Sequence, residues 1–146
     1  MYQIKLETAL RIIDAALEKS NQLGLAPLCA AVLDAGGRLI AVKRQDGASF
    51  FRPDIAIGKA FGCLAMGFGG AEMARRAQIA PQFFNSLTVL SEGKMVPVPG
   101  GVLIRNHDGM VLGAIGISGD TSLKDEECAI AGIAAVDLKA DCGNAE

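Results

Sequence analysis

The sequence is short of charge. Only 21% of its 146 residues are Asp, Glu, Lys or Arg, below the ~25% of an ordinary soluble chain. Fourteen basic residues face sixteen acidic ones, a net of −2, so composition supports neither a nucleic-acid partner nor an anionic membrane surface. Cys29, Cys63, Cys128 and Cys142 form no C-x-x-C pair, and none stands at a zinc spacing from His107, the one histidine. Their apolar neighbours mark them as buried thiols of a reducing compartment, and no metal site is expected. The opening MYQIKLETAL has no signal-peptide layout and meets an acid at Glu7, which predicts a cytoplasmic protein. The most apolar stretch, Ile55 to Gly70, is shorter than the ~20 residues of a membrane span and holds five glycines. No repeat, low-complexity tract or linker divides the chain, so residues 1–146 are expected to form one domain.

What is plentiful is apolar residue, at 51%. A chain of this length has a real but limited core. The surplus predicts subunit contacts, hence a homo-oligomer.

Periodicity gives the elements. Leu6, Leu10, Ile13 and Leu17 share one face of a helix begun by Thr8 as N-cap and ended by Gly24. Leu28 to Leu33 and Arg38 to Lys43 form a hairpin about Asp34-Ala35-Gly36-Gly37. Pro53 fits the first turn of a buried helix running to Gly70, packed closely through Gly58 and Gly62. Glu72 to Ala80 and Pro81 to Glu92 read as short helical pieces, the second covering a sheet with Phe83, Phe84 and Leu87. Val102 to Ile104 and Met110 to Ile117 make a second hairpin about Asn106-His107-Asp108-Gly109. Ser122 caps a last helix, with Asp125 three residues on as in a capping box, carrying Cys128, Ala131, Ala135 and Leu138 on its inner stripe. The tail after Asp141 is expected to fray. Two hairpins interleaved with helices predict an α+β domain, an antiparallel sheet with helices packed on it.

Lys59 is the sharpest chemical signal, the one charged residue between Ile55 and Gly70. Such a lysine must snorkel to water, pair with a carboxylate or face a cavity. Dry, it has a lowered pKa and the makings of a base or an anchor for an anionic ligand. Asp46 and Asp125 are candidate partners. Arg44 and Asp46 follow a strand end, where loops hold ligands. Gly113-x-x-Gly116-x-Ser118-Gly119 matches neither a dinucleotide fingerprint nor a nucleophile elbow. Its glycines, like Gly100 and Gly101, serve either close packing or a backbone-lined pocket. Gly67-Phe68-Gly69-Gly70 reads as a structural turn or an anion cradle, and His107 as an exposed turn residue.

Four stretches in order carry a resemblance: Phe51-Arg52-Pro53-Asp54-Ile55-Ala56-x-Gly58-Lys59-Ala60, Pro99-Gly100-Gly101-Val102, Gly113-Ala114-x-Gly116-x-Ser118-Gly119-Asp120, and Asp125-Glu126-x-x-Ala129. Over almost its whole length the chain resembles the GlcG/HbpS-like family and is similar to the C-terminal domain of PduO-type proteins. The resemblance implies a profilin-like fold with a five-stranded antiparallel sheet, homo-oligomers, and haem binding or degradation by proteins encoded beside catabolic operons. Histidine ligation of haem needs a histidine on a pocket wall. Here only His107 is available, with Tyr2, the cysteines and the methionines as other axial candidates.

Two readings follow. One is a haem- or small-ligand-binding accessory protein, its ligand held between the Lys59 helix and the glycine-rich hairpin by Arg44, Asp46, Lys59, Gly100, Gly101, Ser118 and Asp125. The alternative is an enzyme acting on small organic acids, carbonyl compounds or haem, with Lys59 as base or anchor. The lone charge supplies an anchor but no complete acid–base pair, which favours binding.

Overall fold

The computed structural model describes residues 3–143. The chain runs α1 (Leu6–Leu23), β1 (Cys29–Asp34), β2 (Leu39–Arg44), α2 (Arg52–Met66), α3 (Gly70–Ile79), α4 (Pro81–Leu90), β3 (Gly101–Arg105), β4 (Val111–Ser118), α5 (Ser122–Ala134) and β5 (Lys139–Asp141). Both hairpins form where the turn residues place them, and β1 zips antiparallel to β4 from Cys29 opposite Ser118 to Asp34 opposite Gly113. The sheet order is β2-β1-β4-β3-β5, antiparallel throughout. This is the α+β fold with five antiparallel strands. No helix among the described residues is long and apolar enough to cross a membrane.

Strand alternation sorts side chains by size. On one face Val32, Val102, Ile104, Ile115 and Ile117 meet Ile12, Ile13 and Ala16 of α1 and Cys128, Ala129 and Ile133 of α5. Each large aliphatic side chain enclosed there contributes roughly 1.5–3 kcal/mol. On the other face stand Cys29, Ala31, Gly101, Ala114 and Gly116, and α2 lies directly on them. The small residues set that approach. A methyl at Gly116 would collide with the Ala56 carbonyl, and one at Gly101 with the Lys59 carbonyl. The interior between α2 and the second hairpin is therefore filled by backbone contact. At Gly101 and Gly116 this contact leaves no room for a ligand between them.

Several ends differ from expectation. α1 starts at Leu6 with Lys5 at the N-cap position, making no side-chain cap, so Thr8 lies inside the helix. Gly24 ends it in the left-handed conformation, φ +66°, which a residue with a Cβ adopts only at a cost. α5 is capped by Thr121, whose Oγ1 accepts from the Lys124 N–H at 3.3 Å, and Ser122 is already helical. It stops at Ala134 because Asp137 turns left-handed, φ +57°, and sends Leu138 out toward a strand. That strand, β5, pairs with β3. Past Asp141 the Cys142 carbonyl accepts from the Ala71 N–H and the Gly143 N–H donates to Asp141; the rest of the tail expected to fray lies outside the described residues. Gly69 and Gly70 pack against Cys142, Val98 and Gly101, so the glycines before α3 are a structural turn. α4 is a full helix of ten residues that buries Phe84 alone, leaving Phe83 55% exposed instead of covering the sheet.

Candidate functional site

Lys59 shares the sheet-facing side of α2 with Ala56, Ala60 and Cys63. Its stem lies against Gly100, whose φ of +115° and missing Cβ leave room: a methyl there would sit 2.8 Å from Nζ. Nζ donates to the Ile117 carbonyl at 2.8 Å and to Asp125 Oδ2 at 3.0 Å. Asp125 Oδ1 accepts from the Asp120 N–H at 3.0 Å, tying the start of α5 to the end of β4. Lys59 is 3% exposed and Asp125 1%. Burial pulls the Lys59 ammonium down, opposed by the Asp125 carboxylate, while the nearby Arg52 charge lowers it further. Burial pushes the Asp125 carboxyl up, opposed first by Lys59 and then by the Asp120 N–H. The pair is thus a desolvated cross-link between α2, β4 and α5, costly to break from either side.

Above it, Arg52 Nη1 donates to Ser118 Oγ at 3.0 Å. Lys59, Gly100, Gly101, Ser118 and Asp125 therefore gather around one end of the β3–β4 pairing, with Arg52 as a further member that single-residue reasoning passed over. Its signal was available: Arg52 is the second residue of the first stretch that carries the resemblance and stands two turns before Lys59. Arg44 and Asp46 are not among the partners of Lys59. They line a shallow depression of about 540 Å³ with Asn21, Leu25, Pro27 and Gln45.

A second cavity lies on the outer side of α2. It encloses about 360 Å³. Ile57 and Phe61 form its floor, Arg38 and Leu39 of the first hairpin one wall, and Glu92 to Lys94 before β3 the other, with Asp54 toward the N-terminus of α2. Its charges come from three separate segments, with Asp54 the one that α2 supplies.

A family model described as "Haem degrading protein HbpS-like" matches residues 4–134, nearly the whole chain. The chain belongs to the HbpS-like family. Solved relatives agree in fold. The haem complex of PduOC superposes with a TM-score of 0.83 at 26% identity, covering 94% of this chain and 97% of that one. HbpS of Streptomyces reticuli, crystallised as a double mutant, gives 0.78 at 28% identity over 92% and 87%. An uncharacterized 15.0 kDa protein of the dhaT-dhaS intergenic region of Citrobacter freundii is 28% identical over 122 residues, 84% of each chain.

In this HbpS-like chain several donors suited to haem iron are enclosed, while Met110 is exposed and Met66 and Cys142 are half-buried. His107 Nε2 lies 2.9 Å from the Asp137 carbonyl on an exposed turn. Burial pushes the Cys29 and Cys128 thiols up to about 11 and Cys63 up to about 12, so none is a thiolate at neutral pH. Met73 and Met95 are buried in the core. Tyr2 lies outside the described residues. Among the described residues no group of three or more His, Cys, Asp or Glu is placed to hold a metal ion.

Proposed function

We propose that this chain is a haem-binding accessory protein that works as a homo-oligomer. The observation that carries the reading is the likeness, along nearly the whole chain, to a protein crystallised as a haem complex, within a family described as haem-degrading. The chain's own residues support binding through the periphery of the group. Arg38 and Lys94, with Asp54 and Glu92, stand beside an apolar surface on α2, while His107 lies on an exposed turn and Cys29, Cys63, Cys128, Met73 and Met95 are buried. Haem, when bound, would supply iron redox chemistry. This chain would supply the charges that orient its propionates and an apolar surface that excludes water from the ring.

Lys59 and Asp125 enter this reading as the brace that holds α2 in place. At 3% and 1% exposure they offer no access to a substrate, which weighs against using them as an acid–base pair on small organic acids. Oligomer formation is supported by α4 and its approach, where Ile79, Phe83, Val89 and Leu90 are between 55% and 80% exposed on a helix without a single charged residue. α5 exposes Leu123 and Ile130 as well. Haemin added in steps to the purified protein should give a saturable, shifted Soret band, and light scattering should give a mass above that of one chain. A Soret band identical to free haemin would refute the haem reading, and a monomer mass the oligomer.

A further inference from the structure

Where α2, α3 and α4 meet, the chain leaves a cavity of about 340 Å³ that shares no residue with the Lys59 cluster or the outer groove. Met66, the last residue of α2, and Phe68 of the following turn supply part of its lining. Ile79 at the end of α3 and Phe83 and Phe84 of α4 supply most of the rest. The frame around it is fixed. A methyl on Gly70 would sit 2.6 Å from the Val98 carbonyl, so α3 starts hard against that segment. The Ala80 N–H closes the other end of α3 on the Arg76 carbonyl at 2.9 Å. Phe83 and Phe84 meet edge to face with ring centres 5.5 Å apart. Phe84 is buried while Ile79 and Phe83 are exposed, which makes Phe84 the floor and the other two the rim.

Among the described residues Arg76 is the one charged group in the lining. Two contacts fix it. Its Nε donates to Glu72 Oε2 at 2.6 Å, and its guanidinium carbon stands 4.3 Å from the centre of the Phe68 ring. Its Nη groups donate to nothing else among the described residues. Arg75 pairs with the same Glu72 carboxylate. Two guanidiniums thus share one acid, which leaves one positive charge over, and α4 carries no acid to take it. A guanidinium held by Nε and laid over a ring presents its two Nη groups as a planar fork. Carboxylates accept from such a fork in two parallel bonds.

Small-molecule sites are mostly apolar, hold a few placed polar groups and span roughly 300–1,000 Å³. This cavity lies at the lower end of that range, which suits a body of one ring. Aromatic rings pack edge to face or offset on one another, and a methionine sulfur favours a ring's edge. We propose that the cavity binds a small aromatic monocarboxylate, its carboxylate on the Nη groups of Arg76 and its ring among Met66, Phe68 and Phe83. The single surplus charge matches a monoanion. The inference is independent of the haem reading. It shares Ile79 and Phe83 with the surface assigned to contacts between copies, so a side chain of a second copy is the rival occupant.

The test is isothermal titration calorimetry of the full chain with 3-phenylpropanoate, its uncharged amide and octanoate, with light scattering and a melting curve for each protein. The aromatic acid should bind saturably, one per chain. The amide should bind at least tenfold more weakly and octanoate severalfold more weakly. Arg76→Met should weaken the aromatic acid at least tenfold, and Arg76→Lys, which keeps the charge and loses the fork, severalfold. Phe83→Ser should weaken acid and amide alike. Arg75→Met removes a charge outside the cavity and should weaken the acid less than Arg76→Met does. The three side chains are each at least half exposed, so the variants should keep the fold; should Arg76→Met melt early, Arg76→Lys carries the same comparison. Equal losses from Arg75→Met and Arg76→Met would overturn the proposal, because diffuse charge would then hold the acid. Amide or octanoate binding as tight as that of the aromatic acid would also overturn it. A wild type that gives no binding heat would overturn it as well, and a mass above one chain in that case would assign the cavity to a second copy.

Discussion

Replacing Lys59 by Met keeps the apolar stem on α2 and removes the charge. Asp125, 1% exposed, then keeps only the Asp120 N–H as a hydrogen-bond donor, and the Ile117 carbonyl loses its Nζ donor. Removing one partner of a buried pair costs roughly 3–5 kcal/mol. A second estimate bounds the charge part of that figure. The stranded carboxylate can escape by taking a proton, which at pH 7 costs about 1.36 kcal/mol for each of the ~3 pH units above an ordinary Asp pKa, or about 4 kcal/mol. At pH 5 the same step costs about 1.5 kcal/mol. The sign follows from linkage. In the variant the folded protein binds a proton that the unfolded chain does not, so its stability rises as pH falls from 7 toward 4. With an unfolding entropy of about 0.3 kcal/mol/K for a chain of this length, the pH 7 deficit corresponds to a loss of roughly 10–15 °C in Tm. Urea unfolding at pH 7 and pH 5, with unchanged m-values, should show the gap between Lys59→Met and wild type shrinking by about 2–3 kcal/mol. The double variant Lys59→Met, Asp125→Leu should recover most of the loss. A deficit below about 1 kcal/mol at pH 7, or one that does not move with pH, would show that the pair is not a desolvated brace.

Gly116→Ala should destabilise the fold by about 1–3 kcal/mol or more in urea unfolding, because the new methyl meets the rigid Ala56 carbonyl; a neutral result would mean that α2 shifts freely on the sheet. Hydrogen bonds from Arg76 and Arg75 hold the Glu72 carboxyl below the ordinary carboxylate range. Its contribution is therefore present above that range and is lost as pH falls through it into the lowered folded value, so Glu72→Gln should flatten the acid limb of a Tm-versus-pH curve. Phe83→Glu with Leu90→Lys on the outer face of α4 should lower the mass seen by light scattering while Tm at low concentration stays near wild type.

The elements with strong local signals were legible in the sequence. Asp34-Ala35-Gly36-Gly37 and Asn106-His107-Asp108-Gly109 fix both hairpins, and the apolar run after Pro53 fixes α2. Lys59 announced itself by isolation, and Asp125 was one of its two candidate partners. The fifth strand came through the family resemblance alone, since Lys139–Asp141 is too short and polar to signal a strand and depends on the left-handed turn at Asp137. α4 misled because Phe83, Phe84 and Leu87 look like a core face, yet only Phe84 is buried. The outer groove was illegible for another reason. Arg38, Asp54 and Lys94 are ordinary surface residues until the packing of Gly58 and Phe61 brings their segments around one cavity. The glycines of β3 and β4 were ambiguous between packing and pocket, and only the close approach of α2 decides for packing.

The central claim, that this HbpS-like chain binds haem through the ring's periphery rather than through histidine ligation, is tested most directly by one titration. Haemin is added to the wild type and to His107→Ala, and the Soret band is followed to saturation. The account predicts a saturable band with the same position and midpoint in both proteins. A wild-type band that collapses in His107→Ala, or a wild type whose spectrum stays that of free haemin, would contradict it.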